Sequence, residues 1–206
     1  MKNLFLAIAC VALSIPTFSQ VKVSPGVKVG LNNSSISNFD DASSKTGIYG
    51  GLFLNLHLSD VYELQFETMY SSQGAKANYY YYDYFTGNTI VEKDKEAILD
   101  YVSIGIANKI FIIRDLGLNL IIGPSIDIKV NDNFDNEETS PLDLAFFGGI
   151  GYEFPFGLGI EARYKQGIID IDDGFTTIGG DSEYEDDNNL NSVIQIGVSY
   201  RFNFRR

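Results

Sequence analysis

The stretch Ile194-Gln195-Ile196-Gly197-Val198-Ser199-Tyr200-Arg201-Phe202-Asn203-Phe204 decides the fold. Ile194, Ile196, Val198, Tyr200, Phe202 and Phe204 share one face, while Gln195, Gly197, Ser199, Arg201 and Asn203 share the other. A period of two belongs to a strand and excludes a helix. Tyr62, Leu64, Phe66 and Tyr70 stand in the same way against Glu63, Gln65 and Glu67. So do Leu118, Leu120, Ile122, Ile126 and Ile128 against Asn119, Gly123, Asp127 and Lys129.

Working outward from these, eight strands are predicted: 21–32, 46–58, 61–74, 99–113, 116–130, 142–154, 158–169 and 190–204. Three connections are short enough for tight hairpins, at Ser59-Asp60, Arg114-Asp115 and Pro155-Phe156-Gly157. The other four, 33–45, 75–98, 131–141 and 170–189, are long and polar. An even number of long strands, with tight turns at one end and long loops at the other, is the asymmetry of a transmembrane barrel. The expected fold is all-β, an eight-stranded antiparallel up-and-down transmembrane β-barrel over residues 20–206. Tyr62 and Tyr70 would stand about 20 Å apart along the membrane normal, near the height of a band between two aromatic girdles. Phe154, Phe202 and Phe204 are expected at the periplasmic rim and Tyr164 towards the other.

Residues 1–19 are read as a signal peptide: Lys2, an apolar run from Leu4 to Ile15, then small residues before Gln20. That run is too short for a helical span, which needs roughly 20 residues. Cys10, the only cysteine, lies inside it, too close to the N-terminus for a usual lipoprotein signal. No peptidoglycan-anchoring domain is expected after Phe204.

The formal charge of −12 is concentrated in two loops, −4 in 131–141 and −8 in 170–189. The polar strand faces are nearly balanced. Glu63, Glu67, Asp127, Asp143, Glu153 and Glu161 stand against Lys22, Lys28, Lys109, Lys129, Arg163, Lys165 and Arg201. Eight strands leave an interior that side chains fill, and charges buried there must be paired. A lumen charge network is therefore expected from Lys28, Glu63, Glu67, Lys109, Asp127, Lys129, Glu153, Glu161, Arg163, Lys165 and Arg201. Glycines on the same face, including Gly26, Gly30, Gly51 and Gly149, would give long basic side chains room to cross. The opposite arrangement, an apolar interior wrapped by charge, would make a secreted lipocalin-like ligand carrier.

The residues also resemble the PorT-like outer-membrane β-barrel proteins common in Bacteroidetes. The resemblance runs through Gly26-Val27-Lys28-Val29-Gly30-Leu31-Asn32, the stretch from Leu64 to Lys76, Gly123-Pro124, Glu161-Ala162-Arg163-Tyr164-Lys165-Gln166-Gly167 and Tyr200-Arg201-Phe202. The last strand, with Gly197, Tyr200 and Phe202, resembles the C-terminal signal read by the barrel-assembly machinery. Gly105 stands where the family commonly has proline, and Arg205 and Arg206 follow the aromatic end. The resemblance implies an outer-membrane location; members include a component implicated in protein secretion and gliding, and it names no activity.

No catalytic, cofactor or metal site is expected. His57, the only histidine, has no second histidine or cysteine with which to hold zinc. No serine motif accompanies it for a lipid-modifying enzyme, the remaining alternative. Glu63 and Glu67 have Cα atoms about 13 Å apart by strand rise, too far for a glycosidase pair. Asp170-Ile171-Asp172-Asp173-Gly174 lacks the spacing of a calcium loop. The run Tyr79, Tyr80, Tyr81, Tyr82 and Tyr84 is either a partner-contacting loop or a β-forming extension of the hairpin. Pro124 is expected to mark a bulge. A pI near 4.4 speaks against nucleic acid. Expected partners are outer-membrane lipid, the assembly machinery and an extracellular or envelope protein, with the chain itself a monomer.

Overall fold

The computed structural model describes residues 21–37, 43–83, 87–113, 115–133, 140–169 and 190–202, with the side chains of 77–83 and 89–95 left aside. The signal peptide, Cys10, Tyr84, Phe204, the terminal arginines and the acidic segment 170–189 lie outside the described residues. Eight strands form: β1 Lys22–Ile36, β2 Ser43–Ser59, β3 Tyr62–Asp83, β4 Asn88–Ile113, β5 Leu118–Asp132, β6 Leu142–Glu153, β7 Leu158–Gly167 and β8 Asn191–Arg201. Each pairs antiparallel with its sequence neighbours, and β1 closes on β8 through a register running from Gly26–Arg201 to Ile36–Asn191. The sheet is a closed barrel. No helix among the described residues is long and apolar enough to cross a membrane; the strands supply the crossing.

Alternation sets the two faces. Ile194, Ile196 and Val198 point outward with Leu52, Leu31, Ile104 and Ile160, all exposed. Lys28, Glu67, Glu161 and Arg163 point inward and are buried. A water-facing surface would reverse this, because exposing so many large aliphatic side chains to water costs about 1.5–3 kcal/mol each. The barrel is thus the inverse of a lipocalin-like carrier. Aromatic rings gather at the short-turn rim: Tyr152, Phe154 and Phe156 in series at centroid separations of 4.8 and 5.3 Å, and Tyr200 against Phe202 at 5.4 Å.

Several strand limits differ from the sequence reading. The tight turns fall at Asp60-Val61, at 115–117 and at 154–157, and Gly117 (φ 80°) and Gly157 (φ 98°) adopt the left-handed backbone that these reversals need. Most of the segment 75–98 is no loop: β3 runs on to Asp83 and β4 starts at Asn88, and the two are paired as far as those residues. Both faces of that extension are clear of the band, so no apolar alternation marks it. Pro124 makes no bulge. The β4–β5 register is the same on either side of it, and only the pairs Ile106–Pro124 and Ala107–Gly123 drop out of the ladder. A missing N–H therefore opens a short gap in the hydrogen bonding without shifting a strand.

Candidate functional site

The inward side chains form three ionic tiers. In the middle tier, Lys28 on β1, Glu67 on β3, and Glu161 and Arg163 on β7 meet across the axis. Lys28 Nζ lies 2.8 Å from Glu67 Oε1 and 2.7 Å from Glu161 Oε1. Arg163 donates Nη1 to Glu67 Oε2 at 2.7 Å and Nη2 to Glu67 Oε1 at 2.6 Å, while its Nε lies 3.0 Å from Glu161 Oε1. Gln65 adds its amide to Glu67 Oε1 at 2.6 Å. Two cations thus face two anions, and the guanidinium forks onto a carboxylate in the geometry that best offsets desolvation. Phe147 packs under Arg163 at 4.8 Å, and Phe53 lies 5.9 Å from Lys28.

The tier nearer the short turns joins Glu63, Glu153, Lys109 and Arg201. Lys109–Glu153 measures 2.7 Å, Arg201–Glu63 3.1 Å and Arg201–Glu153 3.3 Å. His57 Nδ1 sits 3.0 Å from Glu63 Oε1, so the histidine faces the mouth of the interior rather than lipid. Two hollows, of about 200 and about 270 Å³, open there and share Glu63, Pro155 and Arg201.

Above the middle, Lys165 pairs with Asp127 and lies 3.3 Å from Ser103 Oγ. Asp143 stands directly opposite Asp127 in the β5–β6 register, so this tier holds two carboxylates against one ammonium. Lys129 is not brought to the others. It pairs with Asp132 at 2.6 Å towards the long-loop end.

The charged positions are only part of the interior. An amide and hydroxyl ladder links Asn32 to Ser71 at 2.8 Å, Gln195 to Asn32 at 3.1 Å and Gln73 to Ser71 at 2.8 Å. Parity along each strand would have placed these residues inside; a search for charge alone passes over them. Glycines make room chiefly for rings. A Cβ on Gly26 would sit 2.1 Å from Phe53, and one on Gly197 would sit 2.1 Å from the Tyr49 hydroxyl. Among the glycines expected to clear long basic chains, Gly149 lies beside Arg163. Between the middle and upper tiers a space of about 20 Å³ remains, lined by Tyr49, Glu67, Ser103, Phe147, Arg163 and Lys165 among others. That is about the room one water needs. No group of three or more metal-ligating side chains occurs among the described residues.

Of the tyrosine run, Tyr79, Tyr80, Tyr81 and Tyr82 belong to β3, paired with Glu92, Val91, Ile90 and Thr89 of β4. Of the final-strand residues, Gly197 faces Gly30 across the β1–β8 seam beneath Tyr49, while Tyr200 and Phe202 lie outward at the rim.

A closed barrel with an aliphatic exterior and an ionic interior defines an outer-membrane β-barrel protein. A family model described as "Outer membrane protein beta-barrel domain" matches residues 5–202. The chain belongs to that family, and its location is the outer membrane. No curated protein matches the chain. Among solved structures, Neisserial surface protein A is 15% identical, over 87% of this chain and 97% of its own, with a TM-score of 0.48. The outer membrane protein Ail of Yersinia pestis in phospholipid bilayer nanodiscs is 13% identical, over 88% and 100%, at 0.47. OprG from Pseudomonas aeruginosa is 10% identical, over 88% and 95%, at 0.40.

Proposed function

We propose that this protein is a non-enzymatic outer-membrane barrel with a plugged lumen, acting as a structural or interaction protein through the loops at its extracellular end. The observation that carries the reading is the middle tier. Lys28, Glu67, Glu161 and Arg163 span the interior at 2.6–3.0 Å, and a solute passing through would have to part each pair. Separating a buried ion pair without replacement costs about 3–5 kcal/mol, so the tier acts as a stopper. The long polar connections then carry whatever contacts the chain makes. The order of short motifs, from Gly26-Val27-Lys28 to Tyr200-Arg201-Phe202, favours a PorT-like member from Bacteroidetes.

In this reading residues 1–19 direct export. Gly197, Tyr200 and Phe202 are read by the barrel-assembly machinery. The mature chain is a monomer in outer-membrane lipid, needs no cofactor, and meets an extracellular or envelope protein. Reconstitution into planar bilayers tests the stopper: the purified protein should leave the membrane resistance unchanged at moderate voltage. A steady ohmic current that scales with protein would overturn the reading.

A further inference from the structure

The β3–β4 hairpin outruns its neighbours. Among the described residues, β2 pairs with β3 as far as Ser43–Lys76, and β5 pairs with β4 as far as Leu99–Asp132. Beyond those points, among the described residues, Tyr79–Glu92, Tyr80–Val91, Tyr81–Ile90, Tyr82–Thr89 and Asp83–Asn88 pair only with one another. A two-stranded ribbon leaves a row of backbone donors and acceptors open on each outer edge, and such a ribbon alone in water is marginal. The outward apolar face of β3 ends at Tyr70. Lys76, paired with Glu96 at 3.3 Å, stands about 15 Å higher at ordinary strand rise and tilt. The ribbon is therefore clear of the hydrocarbon.

The two edges are not alike. Along β4 run five consecutive charged residues, Glu92, Lys93, Asp94, Lys95 and Glu96. The register also slips there: between the pairs Ala77–Lys95 and Tyr79–Glu92, β3 contributes Asn78 and β4 contributes both Lys93 and Asp94. Charges and an extra residue are two devices that keep a foreign strand from adding to an edge. Along β3, residues 77–83 contain no lysine, arginine or proline and include four consecutive tyrosines, which favour strand structure. The β3 edge has a single charge, Asp83 at its far end, and no extra residue.

A second copy in the same membrane does not fit this edge. Two barrels in one bilayer point the same way, so a two-fold axis would set β3 beside β3 in parallel at equal height, donor against donor. The symmetric solution is antiparallel. The connections from β5 to β6 and from β7 to β8, which join strands at the same end, carry −4 in 131–141 and −8 in 170–189, a charge that favours a cationic visitor. We propose that the open edge of β3, residues 77–83, is a strand-addition site for an extended, basic segment of another protein outside the cell. This rests on the reading of the long-loop end as the contact end. Main-chain hydrogen bonds supply the affinity, and the negative charge of the connections at that end selects the partner's charge.

The probe is a fluorescent peptide of alternating lysine and valine, titrated against full-length protein in nanodiscs at physiological salt. A peptide of equal charge with proline at alternate positions is the control. The intact protein should bind the first peptide at least tenfold more tightly than the second. Tyr80→Pro combined with Tyr81→Pro removes an outward N–H whichever residue carries it, and should abolish that preference. Heat-modifiable migration checks that the barrel stays folded. Tyr80→Thr combined with Tyr81→Thr keeps a β-forming backbone and should bind within about threefold of the parent. Equal binding of both peptides, or binding that survives the prolines, would overturn the edge while leaving the loop-contact reading intact. Loss in the threonine variant would likewise overturn it, by making the side chains the adhesive. An ohmic current in bilayers, by contrast, would sink the stopper reading and not the edge.

Discussion

At the level of Arg163 every strand has a partner on each side, and the charges are matched; at the level of Tyr81 β3 has, among the described residues, a partner on one side alone. The solvent explains the difference. Inside hydrocarbon an unpaired backbone group or charge costs several kcal/mol, so closure and neutrality are compulsory. Above the hydrocarbon water satisfies both, and the chain is free to leave an edge available.

The largest test of this contrast lies at Glu67. Glu67→Ala leaves Arg163 and Lys28 sharing Glu161 alone and should lower stability by about 3–5 kcal/mol, read as a shift in urea unfolding in lipid vesicles. Adding Lys28→Met should restore part of the loss, because the middle tier is again one cation against one anion. A smaller effect is expected where the interior is tight but neutral. Gly197→Ala pushes a methyl towards the Tyr49 hydroxyl and the β1 backbone and should cost about 1–3 kcal/mol. Trimming that ring with Tyr49→Phe should relieve some of it. At the base of the ribbon, Lys76→Ala removes a half-exposed ion pair with Glu96 and should change stability by less than about 1 kcal/mol. A loss at Lys76 as large as that at Glu67 would erase the distinction between the two regions.

The same contrast explains what was readable from the residues. Where a strand has one face in hydrocarbon and one in the interior, the alternation is forced, and β8 could be read almost residue by residue. Tyr62, Leu64 and Phe66 against Glu63, Gln65 and Glu67 are equally plain. Along residues 75–98 both faces are clear of the band, alternation lapses, and a strand reads as a loop. Parity put the charged residues inside but could not tell which would meet. Lys28 reaches Glu161 on β7 and Glu67 on β3 because the sheet curls, a relation between distant positions that no local pattern holds. Lys129 shows the converse, since height along the axis sends it to Asp132 instead. Tyr49 and Phe53 were hidden because aromatic residues on a polar face break the rule, and only the facing Gly30, Gly197 and Gly26 explain them. Pro124 was misread because a proline was taken to need an extra residue, whereas a two-pair gap suffices.

The seam between β1 and β8 has a bearing on biogenesis. Val29 hydrogen-bonds beside Val198, so the first strand made has to wait for the last before its outer edge is covered. Until then the nascent chain is a curled sheet with two sticky margins and an oily back, and contacts so distant in sequence form slowly. Removal of β8, Asn191–Arg201, would therefore leave β1 uncovered and the sheet unclosed rather than merely shorten the chain.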